Sequence, residues 1–479
     1  MDLDLTPLLP AIQVGLAALV VMLLDLFLKD HERNLLVWAA LLGLALGSFE
    51  AWTLWNGQEA AFGETLLVDN FTLFFTQLFA AAAAATILVS VRYVRETGMR
   101  EGEFYSLILF ATAGMIVMAG ANDLIVFFLG LETMSVAVYI LSGMRRDRRE
   151  SSEAAMKYFV IGAFATGFLL YGIALVYGAT GSTHLGRVAA YLLQSPEKWP
   201  GYLTAGAFLL LIGLAFKVGA VPFHFWIPDV YEGAPTPVTG FMSVAVKAAA
   251  FAAWVRILAH SLSPLDSDFA TPLRLLAIAT MTIGNLLAIT QPSVKRMLAY
   301  SSIAHAGYLL IALVSGEEWG GPSLLFYLLA YSLMTLGAFA VLTGLAEKER
   351  PNEEYARLAG LGFKRPFLAA AMSLFMLSLA GFPPLAGFTG KFYVFRSAVH
   401  SGHTDLAVIG VLNSLLSVVY YLRVIVMMYM VEGGAEGRSL RQAPCLYLAV
   451  GLAAASTLYL GVLPSAALEW SRLSFFSLF

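Results

Sequence analysis

Five ionisable residues interrupt long apolar stretches of this sequence. They are Glu132 in FFLGLETMSVAVY, Lys217 in LLIGLAFKVGAV, Lys247 in GFMSVAVKAAAFAAW, His305 in SSIAHAGYLL and Lys391 in PPLAGFTGKFYVF. An ionised group at the centre of a bilayer costs from about 2.5 to more than 10 kcal/mol, so such residues face a protein interior, an opposite charge or water. Glutamate, lysine and histidine all bind and release protons. The pattern therefore predicts a buried relay that moves protons, or another small cation, across a membrane.

The spacing of these residues suggests two related halves. Glu132 and Lys217 are 85 residues apart, His305 and Lys391 are 86 apart, and Lys247 lies between the two pairs. Burial in a medium of low dielectric disfavours the charged form of lysine, which favours proton release. We expect a lateral row near mid-membrane, fed by one half-channel from each side. In this hypothesis Glu132 holds Lys217 charged, and separating them releases the proton towards Lys247.

Each position also has a structural interpretation. The alternatives are snorkelling for Lys217, a helix-start role for Lys391, a structural ion pair for Glu132 and Lys247, and satisfied core histidines for His224 and His305. Lys295, with its neighbour Arg296, is interpreted as a snorkelling residue rather than as part of the relay.

The rest of the sequence indicates an all-α, polytopic membrane protein. Of its 479 residues, 59% are hydrophobic and 13% charged, against about a quarter charged in a soluble domain. Apolar runs of about 20 residues match the thickness of a bilayer, and without water to satisfy the backbone they must be helices. About fourteen transmembrane helices are predicted, at 8–28, 35–55, 70–91, 104–120, 123–143, 154–178, 202–221, 237–260, 272–290, 296–314, 322–346, 366–396, 406–430 and 443–463.

Two spans are interrupted at matching places. The seventh span meets Pro222 and Pro228, and the twelfth meets Pro383 and Pro384. Proline removes a backbone donor and breaks a helix. Spans four to eight and nine to thirteen therefore form two predicted five-helix repeats, each with its fourth helix broken, so that helices 7 and 12 are discontinuous. Because five is odd, the second repeat starts on the opposite side of the membrane, and the two repeats are inverted, as in many transporters. The predicted domains are an N-terminal three-helix segment (1–103), the two repeats (104–260 and 261–431) and a C-terminal helix (432–479).

Basic residues are sorted between the two sets of loops. The loops after odd-numbered spans carry groups such as Arg145, Arg146 and Arg148, whereas those after even-numbered spans hold only Arg187 and Lys198. Lysine and arginine of short loops stay on the cytoplasmic side. Both termini are therefore predicted on the opposite, periplasmic side. The first apolar run is interpreted as a span rather than a cleaved signal.

The sequence offers few residues for a cofactor. Its single cysteine, Cys445, excludes a protein-ligated iron–sulfur cluster, which takes four ligands. We find no glycine-rich dinucleotide motif, no phosphate-binding loop and no metal-binding histidine spacing. We therefore expect no cofactor and no metal in this chain.

Three motifs resemble a known family. FKVGAVPFHFWIPDVYEGAPTPVTGFMSVAVKAAAF (216–251), NLLAITQPSVKRMLAYSSIAHAGYLL (285–310) and LAGFPPLAGFTGKFYVF (379–395) are similar to signatures of the antiporter-like subunits of respiratory complex I. PDVYEGAPTPVT is most similar to subunit N of bacterial NADH–quinone oxidoreductase, and Lys391 replaces a glutamate of subunit M. The resemblance extends over about residues 70–430.

The resemblance implies a fourteen-helix subunit of a membrane arm in the bacterial inner membrane. It assigns Glu132, Lys217, Lys247 and Lys391 to the family's proton relay, with His305 at a less uniform position. Flavin, iron–sulfur clusters and quinone would belong to partner subunits. The implied neighbours are subunit M-like and subunit K-like proteins and the lipid bilayer, with no nucleic acid.

Three other functions remain open at this stage. A subunit of a multi-subunit cation/proton antiporter would show sodium-dependent transport without NADH-linked activity. A solute symporter would need a polar, substrate-shaped cavity at the broken helices. A purely structural scaffold would leave the five buried ionisable residues unexplained.

Overall fold

A computed structural model describes residues 5–194, 199–346, 355–432 and 444–479. Lys198 therefore lies outside the described part. So do residues 433–443, which follow the predicted domain boundary at 431/432. Its helices are α1 Leu9–Asp25, α2 Asn34–Thr53, α3 Asn70–Thr97, α4 Glu101–Gly120, α5 Leu124–Ser142, α6 Arg149–Thr180, α7 Leu185–Gln194, α8 Gly201–Val218, α9 Trp226–Gly233, α10 Thr236–Phe241, α11 Lys247–Ile257, α12 Asp266–Ile289, α13 Val294–Val314, α14 Gly316–Leu345, α15 Leu361–Lys364, α16 Pro366–Ala380, α17 Ala386–His400, α18 Thr404–Met430, α19 Pro444–Val462 and α20 Ser465–Phe476. Strands β1 Glu59–Ala61 and β2 Leu66–Val68 form an antiparallel hairpin.

The predicted all-α membrane fold is confirmed. Twelve stretches of the described residues are long and apolar enough to cross a membrane. Every predicted span overlaps a helix or a pair of helices, but 236–289 is one continuous stretch and the twelfth span is divided into two 15-residue helices. The count of fourteen and the four domains therefore stay predictions. The sequence analysis missed α7, α20 and the hairpin.

Both predicted breaks are present, and their helices end in the same way. Gly219 follows α8 at φ 75°, and Gly381 follows α16 at φ 93°. At each end the glycine N–H and the next N–H bond back to carbonyls of the last turn, an arrangement that needs a left-handed residue and favours glycine. Pro222, Pro383 and Pro384 lie between the helix segments. The prediction for Pro228 is wrong, because this residue lies in the first turn of α9, where no backbone donor is needed.

The two halves repeat the same helix contacts. In each half the first helix packs on the second, the second on the third, and the third on both segments of the broken helix. In the first half these contacts are α4 on α5, α5 on α6, and α6 on α8 and α9. In the second half they are α12 on α13, α13 on α14, and α14 on α16 and α17. Glycines allow the closest approaches. A Cβ on Gly114 would lie 2.7 Å from the Gly130 carbonyl oxygen, and one on Gly284 would lie 2.6 Å from the Ala304 nitrogen. This contact pattern is what a repeat would produce, while the inverted relation stays a prediction.

Helices α11 and α13, which carry Lys247 and His305, occupy the centre of the bundle. Every residue of α11 is buried, as are most of α13. The two flank the junction between the halves, and a π-helical segment, Met242–Val246, leads directly into Lys247. Such segments are frequent at functional sites because they re-aim side chains. By contrast, α1, α2 and α18 expose broad apolar faces suited to lipid or to neighbouring subunits.

Candidate functional site

Lys217 contacts the turn of α5 that carries Glu132, but among the ion pairs of the described residues there is none between these two side chains. Lys217, at the end of α8, is 4% exposed. Its Nζ donates to Ser135 Oγ at 2.7 Å and to Tyr139 Oη at 3.4 Å, both on α5. Glu132, one turn before Ser135, instead accepts a hydrogen bond from Thr166 of α6 at 3.0 Å. The structure thus holds this pair in a separated arrangement, in which hydroxyls rather than the carboxylate contact the lysine.

Lys247 connects the first half to the second. Its Nζ donates to the carbonyl oxygen of Ser302 on α13 and, at 2.5 Å, to Ser302 Oγ. The side chain is 1% exposed. The close glycine contact between α4 and α5 has a counterpart between α12 and α13. When the two halves are aligned on these contacts, Ser302 takes the position of Glu132. Lys247 therefore meets a hydroxyl where the first half carries a carboxylate.

His305 lies one turn beyond Ser302 and is bonded through both ring nitrogens. Nδ1 is 2.6 Å from Tyr327 Oη, and Nε2 is 3.0 Å from Tyr421 Oη, which also bonds Ser301 Oγ. A neutral imidazole donates at one nitrogen and accepts at the other, so two hydroxyls satisfy it in either tautomer. This arrangement also lets a proton enter at one nitrogen and leave from the other.

Lys391, on α17, folds back over the break. Its Nζ donates to the carbonyl oxygens of Leu379 at 2.9 Å and Ala380 at 3.2 Å, and to Ser414 Oγ at 2.9 Å. The two carbonyls belong to the last turn of α16, whose negative dipole end favours a cation. Lys391 is the sixth residue of α17, so it lies beyond the start of that helix, and its buried amine, in a side chain that is 3% exposed, caps the end of α16 instead.

Tyrosine rings join three of the five groups. The ring of Tyr331 lies 5.8 Å from Lys247 Nζ and 5.0 Å from the His305 ring. The ring of Tyr308 lies 5.6 Å from the His305 ring and 5.0 Å from Lys391 Nζ. The structure therefore assembles Lys247, His305 and Lys391 into one cluster. Lys217 and Glu132 form a second cluster, and no hydrogen bond joins it to Lys247.

The partners of these lysines differ from those of a structural ion pair in the same protein. Arg256, fully buried on α11, donates to both Asp69 carboxylate oxygens at 2.9 and 3.0 Å, to Thr72 Oγ1 and to the Ala119 carbonyl. The Asp69 carboxylate balances the permanent charge of Arg256. Lys217, Lys247 and Lys391 contact hydroxyls, carbonyls and rings, which accept hydrogen bonds without fixing a proton on the amine.

Comparison with known proteins decides the family. The family model described as NADH:quinone oxidoreductase/Mrp antiporter, TM, matches residues 121–417. NADH-quinone oxidoreductase subunit N of Trichlorobacter lovleyi is 46% identical over 470 residues, covering 98% of this chain and 96% of the relative. The chain belongs to this family. The subunit N of Chloroflexus aggregans is 44% identical over 466 residues, covering 96% of this chain and 95% of the relative.

Solved structures agree with this membership. A chain of respiratory complex I from Thermus thermophilus superposes with a TM-score of 0.81 at 36% identity, covering 96% of this chain and 98% of that one. A chain of the Mrp complex from Dietzia gives 0.86 at 22% identity, covering 100% and 98%. The second likeness shows the shared fold alone. Within this family of antiporter-like membrane-arm subunits, the matched range contains all five predicted relay residues.

Lys295 and His224 lie outside both clusters. The snorkelling interpretation of Lys295 is wrong, because the side chain is 2% exposed and donates to the carbonyls of Glu232 and Ala234 at the end of α9. His224 lies half-buried in the break between α8 and α9 and does not join either cluster. Among the described residues no group of three or more His, Cys, Asp or Glu could hold a metal ion; the absence of a cofactor stays a prediction.

The sequence analysis missed the hydroxyl partners. Ser135 and Tyr139 follow Glu132 by three and seven residues, and Ser302 precedes His305 by three. Residues three, four or seven apart share one helix face, so this spacing could have identified them. Tyr327 and Tyr421 come from distant helices, and no local pattern marks them.

Proposed function

We propose that this chain is the non-redox, proton-translocating subunit of an NADH–quinone oxidoreductase, working through Glu132, Lys217, Lys247, His305 and Lys391. The observation that carries the proposal is that the three lysines are almost fully buried yet bonded to neutral groups. A buried charge without an opposite charge is costly, so its retention needs a function. A lysine that loads and releases a proton supplies one.

Proton movement starts from the Glu132–Lys217 cluster. When Lys217 approaches Glu132, the attraction of opposite charges favours the ammonium form, because that attraction is strong in a medium of low dielectric. In the separated arrangement, Ser135 and Tyr139 hold the amine by weaker, neutral contacts, and the ammonium form is less favoured. Alternation between the two arrangements drives the proton from Lys217 towards Lys247.

The second cluster carries the proton onward. Ser302 and the Tyr331 ring bring Lys247 next to His305, which passes a proton between its two nitrogens. Tyr421 bonds the second nitrogen of His305, and the Tyr308 ring leads from His305 to Lys391 at the break of α16 and α17. The carbonyls of Leu379 and Ala380 hold Lys391 where the backbone is open.

The assembly supplies what this chain lacks. Flavin, iron–sulfur clusters and quinone belong to partner subunits, and the neighbours are other membrane-arm subunits of subunit M-like and K-like type. The side that bears Arg145 and Arg146 faces the cytoplasm of a bacterial inner membrane, and both termini face the periplasm. Glu132 is half-buried beside exposed apolar residues of α5, which suits a position covered by an adjacent subunit.

The test uses Lys217→Ala and Lys247→Ala in the assembled complex reconstituted into vesicles. NADH-driven acidification should be abolished in both, because each variant removes one station of the path. Electron transfer from NADH to ferricyanide measures assembly of the redox arm and should be unchanged. Exposed Lys29 provides the control, and Lys29→Ala should pump normally. Wild-type pumping in both buried variants would refute the proposal.

A further inference from the structure

A cavity of about 530 Å³ opens at the end of the molecule that carries the arginine-rich loops. It lies between the α3–α4 turn, the last turn of α5 and the first turns of α6. Its lining includes Arg100, Glu103, Met144, Arg146 and Asp147. This volume is many times the roughly 30 Å³ share of one water molecule in the liquid. The cavity is therefore large and polar enough to hold water.

The mouth of the cavity is charged on both sides. Arg100 and Glu103 pair at 2.7 Å, and Arg145 Nη2 donates to Asp147 at 2.8 Å. The hydrogen bond from Arg145 holds the pKa of the Asp147 carboxyl below its usual range, so this carboxylate is ionised at neutral pH. Ionised groups of both signs attract water rather than lipid.

The inner wall of the cavity includes Tyr139. The same Tyr139 hydroxyl accepts the hydrogen bond from Lys217 at 3.4 Å. Tyr139 is only 7% exposed, and Lys217 itself is not among the residues that line the cavity. One residue thus both lines the cavity and contacts the first lysine of the proposed path.

The position of the Tyr139 hydroxyl is set by α6. A Cβ on Gly162 would lie 2.1 Å from Tyr139 Oη, so the hydroxyl occupies space that only glycine leaves free. The phenol ring packs edge-on against Tyr158 at 4.7 Å, and Tyr158 stacks on Trp226 at 4.5 Å. Trp226 in turn donates to the Phe216 carbonyl beside Lys217. The phenol is therefore fixed to both segments of the broken helix.

We propose that the Tyr139 hydroxyl is a relay residue that carries protons between this cavity and Lys217. The inference rests on the proposed function and identifies the point at which protons enter the path that begins at Lys217. The phenol gives its O–H proton to the neutral amine of Lys217, and its oxygen takes a proton from a hydronium ion in the cavity. Tyr139 ends unchanged, Lys217 becomes an ammonium ion and the hydronium becomes water.

The first experiment is Tyr139→Phe, which removes the hydroxyl and keeps the ring. Positioned proton-transfer groups contribute about 10²–10⁴-fold to the steps they serve, so we expect NADH-driven pumping to fall roughly tenfold or more. Ferricyanide reduction should be unchanged. The control is Tyr171→Phe, a residue of the same helix as Gly162 that is 61% exposed. Pumping at the wild-type rate in Tyr139→Phe would overturn the inference.

A second pair of variants moves the hydroxyl without deleting it. Gly162→Ala displaces Tyr139 and should slow pumping about as much as Tyr139→Phe. Gly167→Ala, on the same helix with no atom within 4 Å of the added carbon, should pump normally. Equal pumping in the two alanine variants would count against the proposal.

A third experiment tests the cavity itself. After Cys445 is replaced by serine, Met144→Cys places a thiol in the cavity lining, and a bulky, charged methanethiosulfonate reagent should block pumping. Labelling of His31→Cys, an exposed residue predicted on the same side, should have no effect. Full pumping after complete labelling at 144 would show that protons enter elsewhere. Lys217→Ala separates failure of this inference from failure of the proposed function. If pumping persists in Lys217→Ala as well as in the Tyr139 experiments, the proposed function fails. If Lys217→Ala stops pumping but the Tyr139 experiments do not, the Tyr139 inference alone fails.

Discussion

At the scale of single residues, the partner of a buried cation distinguishes two roles. Arg256 is held by a carboxylate, whereas Lys217, Lys247 and Lys391 are held by hydroxyls and carbonyls. Removing one partner of a buried ion pair leaves the other charge unpaired. Removing Lys247 or Lys391 leaves no such charge, because neither amine bonds a carboxylate. The two kinds of residue should therefore fail in different ways when they are replaced.

We expect Arg256→Ala to destabilise the protein by about 3–5 kcal/mol, because Asp69 is left as an unpaired, buried carboxylate. Thermal unfolding in detergent, followed by tryptophan fluorescence, measures this change. Arg274→Ala breaks an exposed pair with Asp405 and should cost less than about 1 kcal/mol. Adding Asp69→Asn should restore part of the loss, since asparagine removes the charge and still caps α3. Equal stability of Arg256→Ala and wild type would contradict this account.

Residue types and their spacing were enough to select five candidate positions that the structure buries wholly or in part, because ionisable groups are conspicuous in apolar sequence. They were not enough to predict the partners. The Glu132–Lys217 ion pair was expected from charge alone, but the structure places Ser135 and Tyr139 nearer to Lys217. Which helix faces meet depends on tertiary packing, which local sequence does not specify.

At the scale of helices, glycine sets the distance between the helices that carry the site. Gly114 and Gly130 let α4 touch α5, which carries Glu132, and Gly284 lets α12 touch α13, which carries Ser302 and His305. Small residues allow such close approach between membrane helices. A side chain at these positions would push the relay helices away from their neighbours.

We expect Gly114→Ala to destabilise the protein by about 1–3 kcal/mol through overpacking. The added carbon would lie 2.7 Å from two backbone atoms of α5, which cannot rotate away. Pumping should fall as well, because α5 shifts relative to Lys217. Gly15→Ala has no atom within 4 Å of the new carbon and serves as the matched control. Identical thermal unfolding of both variants would show that the contact is not limiting.

The helix breaks show what proline and glycine patterns predict well and poorly. Pro222, Pro383 and Pro384 marked two real breaks because no helix continues through them. Pro228 did not, because a proline in the first turn lacks nothing that the helix needs. Lys295 was misassigned for a related reason: the open end of α9 supplies carbonyls that a sequence does not reveal.

At the scale of the whole molecule, α11 places Lys247 against α13 and also packs on α8, which carries Lys217. Hydropathy alone predicted the membrane class, since each apolar run must form a helix. The sequence analysis divided this region into two spans, 237–260 and 272–290, whereas the structure has one continuous apolar stretch over 236–289, because its π-helical segments and short turns stay helical.

Purification in mild detergent tests the proposed assembly. We expect the chain to co-purify with proteins that carry flavin and iron–sulfur clusters, detected by absorbance and metal analysis. Recovery with small hydrophobic subunits alone, together with sodium-dependent transport and no NADH-linked activity, would instead favour a cation/proton antiporter.

The central claim is that buried lysines act by gaining and losing protons rather than by carrying a fixed charge. Lys247→Arg separates the two, because arginine keeps a positive charge and hydrogen-bond donors but does not deprotonate in proteins. The measurement is the number of protons pumped per NADH oxidised by the reconstituted complex, with ferricyanide reduction as the assembly control. We predict a ratio as low as that of Lys247→Ala. A wild-type ratio in Lys247→Arg would contradict the claim.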